Sequence, residues 1–183
     1  GKLIPQDPAD EPASLLLERI RDEKARLVKA GTIRKEKPLA AIAEKEKPFA
    51  LPAGWEFVRL PQATFNWGQT TPFEPFTYID VAAIDNERGR ITDAVQVIEA
   101  TDAPSRARKI VRQGTVIYST VRPYLKNIAT VESNYLPSAI ASTAFAVMHP
   151  HHGLISQHLL IYLRSQPFTD PASPKMVAVA SPA

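Results

Sequence analysis

Seventeen prolines are spread along this 183-residue chain, against only seven glycines. Proline has no backbone N–H and its ring fixes φ, so it interrupts the interior of a helix and the middle of a sheet. A chain broken this often leaves little room for uninterrupted helix, and its loops are many and stiff. We therefore expect a mixed α+β fold in which short strands dominate.

The composition is that of one compact domain with an appendage. Hydrophobic residues make up 44% of the chain and charged residues 22%, which is enough to bury a substantial core. There is no cysteine, so disulfides and cysteine-ligated zinc are excluded. No signal segment is evident, and the longest weakly polar run, 139–148, is too short to cross a bilayer. We expect a cytoplasmic protein without membrane contact.

The clearest helical pattern lies at 12–30. Asp10 is a candidate N-cap, Pro12 suits the first turn and Gly31 marks the C-terminal end. Long and apolar side chains recur at alternating spacings of four and three, as in the seam of a coiled coil: Ala13, Leu17, Ile20, Lys24 and Leu27. Two ion pairs one turn apart are predicted on its flanks: Asp22 with Arg26 and Arg19 with Glu23.

A charged stretch follows at 32–47, in which Lys, Glu, Pro and Ala alternate. Such a composition predicts a solvated, partly extended linker. The chain is therefore expected to have three parts: a spacer helix at 1–31, the linker at 32–50 and a strand-rich domain at 51–183. The apolar face of the helix needs a partner, either this domain or another chain, and the linker favours separation from the domain.

The domain is expected to consist of short strands separated by turns such as 85–89. Strands are predicted at 55–60, 76–82, 94–98, 109–111, 115–119, 128–131 and 144–148. A second helix is predicted at 156–164, with Ser156 as its cap. Residues 177–180 would suit one more strand.

The segment between Ser105 and Lys126 carries six cationic side chains and no acid. A glycine turn at 113–114 divides it into a predicted strand, 115–119, and a proline-containing loop, 121–127. The net charge is +2 over residues 1–50, −4 over 51–100 and +5 over 101–183. This asymmetry predicts one face offered to a polyanion. An accident of surface composition would give the same counts, and that alternative stays open.

Several stretches, in the same order along the chain, resemble blocks of the specificity subunits of type I restriction-modification enzymes. They are GKLIPQDP at 1–8 with DEPASLLLERI at 10–20, LPAGWEFVRL at 51–60, YIDVAAID at 78–85, APSRAR at 103–108 with GTVIYSTVRPY at 114–124, and ASTAFAV at 141–147. Each stretch is short, but their joint occurrence in this order is specific.

The resemblance implies a division of labour. In that family a target-recognition domain reads half of a split DNA site, while long helices set the distance to a second domain and dock methyltransferase and translocating nuclease subunits. This chain looks like one spacer-helix portion with one recognition domain, C-terminally incomplete. The implied partners are double-stranded DNA, the modification and restriction subunits, and possibly a second recognition half.

Motifs for catalysis are not found in the sequence: it has no amino-methyltransferase motif, glycine-rich nucleotide loop or restriction-nuclease motif. We expect no activity of its own and no cofactor. His149, His151 and His152 lie close together but lack helical spacing and a nearby carboxylate. A solvated turn is favoured over a metal site, and His158 is expected to cap or line the second helix.

The predicted DNA-contacting residues lie in two stretches. Cations neutralise phosphates, and arginine, asparagine and glutamine side chains can read base edges. The predicted set is Gln69, Thr70, Arg106, Arg108, Lys109, Arg112, Ser119, Thr120, Arg122, Lys126 and Asn127. Two alternatives stay open: an ordinary exposed turn at 66–72, and an Arg122 paired with Asp80 or Glu132 inside the fold.

Two functions of different classes remain. The favoured one is sequence-specific DNA recognition, directing adenine methylation and restriction by partner subunits. The alternative is a protein-interaction module that works through the N-terminal helix, with no specific DNA readout.

Overall fold

A computed structural model describes residue 7, residues 9–47 and residues 49–169 of the chain. The helices in that part are α1 (Ala13–Lys29), α2 (Leu60–Ala63), α3 (Ser156–Arg164) and α4 (Gln166–Thr169). The strands are β1 (Thr64–Phe65), β2 (Phe76–Ile79), β3 (Ile84–Asp85), β4 (Arg90–Ile91), β5 (Gln96–Ile98), β6 (Ala107–Ile110), β7 (Val116–Ser119), β8 (Ile128–Thr130), β9 (Ala139–Ser142) and β10 (Phe145–Pro150).

The strands form two mixed sheets. One has six strands in the order β1-β10-β7-β8-β4-β3, and the other has four in the order β5-β2-β9-β6. Two pairs are parallel, β2 with β9 and β4 with β8, while the other neighbours run antiparallel. With its few helices, this confirms the predicted α+β class.

The main core lies between the two sheets. It combines Ile79 and Ala141 of the four-stranded sheet with Ile117, Ala129 and Phe145 of the six-stranded sheet, each at most 1% exposed. Successive strand residues point to opposite faces. Along β7, Ile117 accordingly faces this core, while its neighbours Val116 and Tyr118 face the other side.

The other face of the six-stranded sheet is covered by α3 and α4. Val116, Tyr118, Ile128 and Met148 of the sheet pack there against residues of the two helices, namely Leu159, Leu160, Leu163 and Phe168. A sheet buried on both faces is held from both sides, which makes its strand ends a rigid frame for loops.

Helix α1 confirms the helix predicted at 12–30, but its start and its ion pairs differ from the prediction. Pro12, not Asp10, occupies the cap position, and no side chain caps the helix. Arg19 pairs with Glu11 rather than Glu23, and Glu23 bonds to His151 of the strand-rich body. Tertiary partners therefore outcompete the pairs one turn apart, which are worth only about 0.2–0.5 kcal/mol.

The charged linker is mostly exposed but is held at several points. Ile33 is buried, Glu36 pairs with Lys24 of α1 at 2.6 Å, and Glu46 pairs with Arg59 at 3.0 Å. Arg59 also donates to the carbonyl oxygens of Ala40 and Ala41. The division into 1–31, 32–50 and 51–183 stays a prediction.

One predicted strand is wrong. Residues 55–59 form no strand and lead into α2. Arg59 bonds to the linker, and Gly54, just before this stretch, accepts the Ala13 N–H of α1 at 2.8 Å. The other predicted strands are present with shifted ends. The predicted strand at 177–180 lies outside the described residues.

Four strands and two helices were not predicted: β1, β3, β4, β9, α2 and α4. The first three are two residues long, too short to show a period of two. Strand β9 is buried at all four positions, so no polar residue alternates with its apolar ones. Helix α3 is confirmed at 156–164, but Ser156 does not cap it; its hydroxyl donates to the Gly114 carbonyl oxygen at 2.7 Å.

Within the described ranges, no helix combines the length and the apolar character that a bilayer crossing requires.

Candidate nucleic-acid interface

Six strand ends meet at one end of the two-sheet body. Strands β2, β7 and β9 finish there, and β6, β8 and β10 begin there. The two-residue turn after β9 ties the sheets together: the Thr143 N–H donates to the Arg106 carbonyl oxygen at 2.8 Å, and the Thr120 N–H donates to the Ala144 carbonyl oxygen at 2.9 Å. We call this end, with Asp80, Arg106, 120–127 and 143–144, the Arg106 end.

The β7–β8 loop, 120–127, projects from the Arg106 end. Its centre is a single 3₁₀ turn, Pro123–Leu125, flanked by Arg122 at φ 51° and Lys126 at φ 53°. Left-handed backbone costs a side-chain-bearing residue on the order of 1–3 kcal/mol and clusters at functional sites. The turn is closed by the Leu125 and Lys126 N–H groups, which donate to the Arg122 and Pro123 carbonyl oxygens at 3.0 Å each.

Exposed side chains of two kinds cover the β7–β8 loop. Arg122 is exposed and Lys126 half-buried, and within the described chain neither forms an ion pair. Tyr124 is 70% exposed and Val121 54%. Arg122 therefore does not pair with Asp80 or Glu132. The loop offers uncompensated positive charge beside an aromatic ring.

Arg106, not Arg122, forms the ion pair with Asp80 that the sequence analysis left open for Arg122. Its Nη2 atom lies 2.9 Å from Asp80 Oδ2, and the two side chains are 60% and 26% exposed. Asp80 Oδ1 also accepts from the Val81 N–H at 2.7 Å. The charge of Arg106 is thus partly compensated, while its guanidinium stays accessible to solvent.

The turn at 85–89 stands beside the β7–β8 loop. Asn86 Nδ2 donates to the Leu125 carbonyl oxygen at 2.9 Å, and Arg164 of α3 donates to the Glu87 carbonyl oxygen at 2.8 Å. Hydrogen bonds from the Arg88 backbone and side chain, with the Arg88 charge and the Glu87 N–H, hold the pKa of the Asp85 carboxyl below its usual value. The turn therefore supports the loop and adds the exposed Arg88.

A second group of predicted residues lies along β6, the edge strand of the four-stranded sheet. Gln69 pairs with Lys109 as an antiparallel bridge, and the Thr70 N–H donates to the Arg108 carbonyl oxygen at 2.8 Å. Gln69 is exposed; the side chains of Thr70, Arg108 and Lys109 are half-buried. Arg108 donates to the Ala107 carbonyl oxygen at 2.8 Å. The structure thus brings these four residues together.

Arg112 lies at the opposite end of the body. It stacks on the Trp67 ring, with 4.0 Å between its guanidinium carbon and the ring centroid. Arg106 precedes strand β6 and Arg112 follows it, and the four residues of β6 alone span roughly 13 Å at a rise of about 3.3 Å per residue. The six cations of the basic segment therefore do not form one patch.

The histidine cluster is not a solvated turn at two of its three positions. His149 Nδ1 lies 3.0 Å from Thr115 Oγ1, and the His151 side chain is fully buried, with Nδ1 3.0 Å from Glu23 Oε2. Burial lowers the pKa of His149, with smaller contributions from Arg112 and His151. His152 is exposed, as is His158 on α3. Among the described residues no group of His, Asp and Glu has the arrangement of a metal site.

Comparison with known proteins finds two curated relatives and a solved structure, and all three are specificity subunits. Over 182 residues, 95% of this chain and 31% of the relative, the chain is 34% identical to the type I restriction enzyme EcoAI specificity subunit of Escherichia coli. Over 67 residues, 36% of this chain and 11% of the relative, it is 63% identical to the type I restriction enzyme EcoEI specificity subunit of E. coli. The crystal structure of the HsdS subunit from Thermoanaerobacter tengcongensis has a similar fold, with a TM-score of 0.61 and 39% identity over 65% of this chain and 31% of that one.

The chain is similar to part of a type I specificity subunit. A second solved chain has a TM-score of 0.61 and 38% identity over 66% of this chain and 32% of that one. Its structure concerns complex assembly and conformational transition of the type I restriction-modification system. No family model matches the sequence. The chain spans about a third of the length of the EcoAI subunit. The resemblance seen in the sequence is confirmed.

Polar atoms of Ser119, Thr120 and Asn127 are engaged within the fold, which leaves these residues less available than expected for direct contacts. Ser119 is 1% exposed, and its hydroxyl donates to the Val121 carbonyl oxygen at 2.9 Å. Thr120 is exposed but its hydroxyl donates to the Ala144 carbonyl oxygen at 2.9 Å. The half-buried Asn127 accepts the Ser119 N–H through its carbonyl oxygen at 2.9 Å. These residues shape the base of the β7–β8 loop.

The predicted DNA-contacting set left out three residues that the fold places at or beside the Arg106 end: Asn86, Arg88 and Tyr124. The turn at 85–89 was recognised, but it belongs to the acidic third of the sequence and was not connected with the basic segment. The parallel pairing of β4 with β8 and the hydrogen bond from Asn86 to Leu125 bring it to the loop. Tyr124 lies between Arg122 and Lys126 in the sequence, and its 70% exposure is the signal that sequence could not supply.

Proposed function

We propose that this chain recognises DNA sequence as part of a type I specificity subunit, holding duplex DNA with the Arg106 end and having no catalytic activity itself. Methylation and cleavage would belong to the modification and restriction subunits of the assembled enzyme, working in the cytoplasm. The β7–β8 loop carries the proposal. Its uncompensated cations, Arg122 and Lys126, sit on strained backbone beside an exposed tyrosine, a combination that a merely structural loop does not require.

Phosphate and base contacts are divided between two surfaces in this proposal. Arg122, Lys126 and Arg88 bind phosphates of the backbone, with Arg106 joining them when Asp80 releases it. Phosphate contacts fix register but carry no sequence information. The β6 edge, with Gln69, Thr70, Arg108 and Lys109, then offers an amide, a hydroxyl and two cations to base edges.

The alternative, a protein-interaction module working through α1, has weaker support. That function needs a free apolar face, but α1 buries Ile20 and bonds Glu23 to the strand-rich body. We propose that the exposed remainder of α1 instead contacts the modification and restriction subunits, and that a second recognition half completes the split site.

Mapping of methylated adenines across the genome of a host that expresses the assembled enzyme tests the division of contacts. Replacing Gln69 and Thr70 with alanine should change the half-site that is methylated, because base readout is lost. Replacing Arg122 and Lys126 with alanine should lower methylation at all sites without changing the sequence.

Arg34→Ala is the matched control, since Arg34 is an exposed linker cation with no partner within the described residues. If all four substitutions leave both pattern and yield as in this control, the chain does not read DNA with these surfaces.

A further inference from the structure

Helix α1 rests on the strand-rich body through a carboxylate that receives two hydrogen bonds. Glu23 Oε2 lies 3.0 Å from His151 Nδ1 and accepts the His152 N–H at 3.1 Å. His151 is fully buried, while Glu23 is 22% exposed. The contact joins residues 128 apart in sequence. It is an unusual bond for a helix expected to stand free of its domain.

Geometry decides the protonation of this pair. A carboxylate can only accept, so the imidazole donates from Nδ1. Its Nε2 atom is buried without a partner in the described chain. A charged imidazole would place a second N–H there with nothing to accept it, which is costlier than a buried lone pair. His151 is therefore neutral, with its proton on Nδ1.

The charges around the pair act in both directions. Lys24 and Glu36 act on it from α1 and the linker, and His149, with Arg112 beyond it, from β10 and the connection between β6 and β7. Burial dominates and lowers the pKa of His151 below its ordinary value of 6.5, against the opposing effect of Glu23. Neutral His151 and its buried position are thus mutually consistent.

A glycine lies where helix α1 packs against the strand-rich body. Gly153 has φ +93°, and a Cβ atom added to it would lie 2.7 Å from Leu16 Cδ1. Leu16, Ile20 and Glu23 are spaced by four and three residues, so they share one face of α1. The face that docks is therefore defined by shape at Gly153 and by hydrogen bonding at His151.

We propose that Glu23 and His151 form a clasp that sets the direction in which α1 leaves the strand-rich body. Protonation of the imidazole disfavours the docked helix, because it would bury a second N–H at Nε2 with no acceptor among the described residues. Because the docked form binds fewer protons than the undocked one, its stability is complete above about pH 6.5 and is lost as the pH falls through the lowered pKa of His151. Its consequence for DNA reading rests on the proposed function, since α1 would carry the link to other subunits.

Distance measurement between two spin labels tests the clasp without DNA, so its failure is separable from that of the proposed function. The chain has no native cysteine, and Ala25→Cys on α1 with Gln157→Cys on α3 gives exposed labels. We expect one narrow distance distribution at pH 7.5. Glu23→Ala and His151→Leu should each raise the displaced population about tenfold or more, since a charge-assisted hydrogen bond is lost.

His151→Asn separates the clasp from simple packing. The asparagine amide can donate to Glu23 but does not titrate, so this variant should keep the narrow distribution at pH 7.5 and show no broadening at pH 5.5, where the wild type broadens. Glu18→Ala, an exposed α1 carboxylate without a partner among the described residues, is the control. Circular dichroism verifies that each variant is folded.

Two results would overturn the proposal. One is a distribution in Glu23→Ala that matches the Glu18→Ala control. The other is a wild-type response to pH that persists unchanged in His151→Asn, which would assign the titration to His149 or another group. If His151→Leu does not fold, the comparison of wild type with Glu23→Ala and His151→Asn still decides.

Discussion

Two substitutions of Arg122 separate the charge of the β7–β8 loop from its backbone strain. Arg122→Ala removes the cation and keeps a side chain at φ 51°. Arg122→Gly removes the same cation and places there the residue for which this conformation has no steric cost. Both variants should lose DNA affinity equally, but only the glycine variant should relieve strain.

The size of the affinity loss follows from counterion release. Each phosphate contact contributes about 0.9 to the slope of log affinity against log salt. If that contribution vanishes near 1 M salt, losing one contact costs about eightfold at 0.1 M and about fifteenfold at 0.05 M. The exposure of Arg122 and its freedom from ion pairs mean that no internal interaction is lost with the side chain. The alanine variant should therefore unfold within about 0.5 kcal/mol of wild type.

The glycine variant should be as stable as wild type or up to about 1 kcal/mol more stable. Relief of the left-handed conformation gains on the order of 1 kcal/mol, partly offset by the greater entropy of glycine in the unfolded chain. Fluorescence anisotropy with labelled duplex DNA from 50 to 200 mM salt gives the slope, and urea unfolding gives the stability. Arg34→Ala serves as the control cation.

A salt slope for both Arg122 variants equal to that of Arg34→Ala would refute the phosphate contact. Equal slopes in the two variants but a glycine variant much less stable than the alanine variant would refute the account of the backbone. These readings are independent, so each part of the reasoning can fail alone.

Two further substitutions test the surroundings of the loop and the frame below it. Asp80→Asn should strengthen binding of duplex DNA by up to about eightfold at 0.1 M salt and steepen the salt slope, because it frees Arg106 while the amide oxygen can still accept from the Val81 N–H; unchanged or weaker binding in the anisotropy assay contradicts this. Leu163→Ala, at 0% exposure between α3 and the six-stranded sheet, should lower the free energy of unfolding by about 2–5 kcal/mol. Ile161→Ala on the same helix, 61% exposed, should cost far less, and equal urea midpoints for the two would contradict the assigned packing.

Much of the fold could be predicted from local sequence patterns. The α1 pattern, the α3 pattern and the strand at 115–119 depend on neighbours within one or two turns, and each is found close to its predicted bounds. The strand predicted at 55–60 depended on apparent alternation alone. There the partners of Arg59 are in the linker, so no strand forms.

The candidate site was predicted only in part. The basic segment located Arg106, Arg122 and Lys126, which meet at one end, but it also included Arg112, which lies on Trp67 at the other. A count of charges along the sequence includes every cation, whichever way its side chain points in the fold. Such a count does not reveal that Arg106 and Arg112, on either side of strand β6, lie at opposite ends of the body.

The sequence by itself determined the resemblance to type I specificity subunits, the mixed class and the excess of positive charge, because these follow from residue identity, order and local spacing. Tertiary structure alone decided which cations share a surface, that Asn86 and Arg88 stand beside the loop, and that Glu23 bonds to His151 across 128 residues. The physical reason is that strand pairing and burial join residues distant in sequence, and no local pattern encodes those partners.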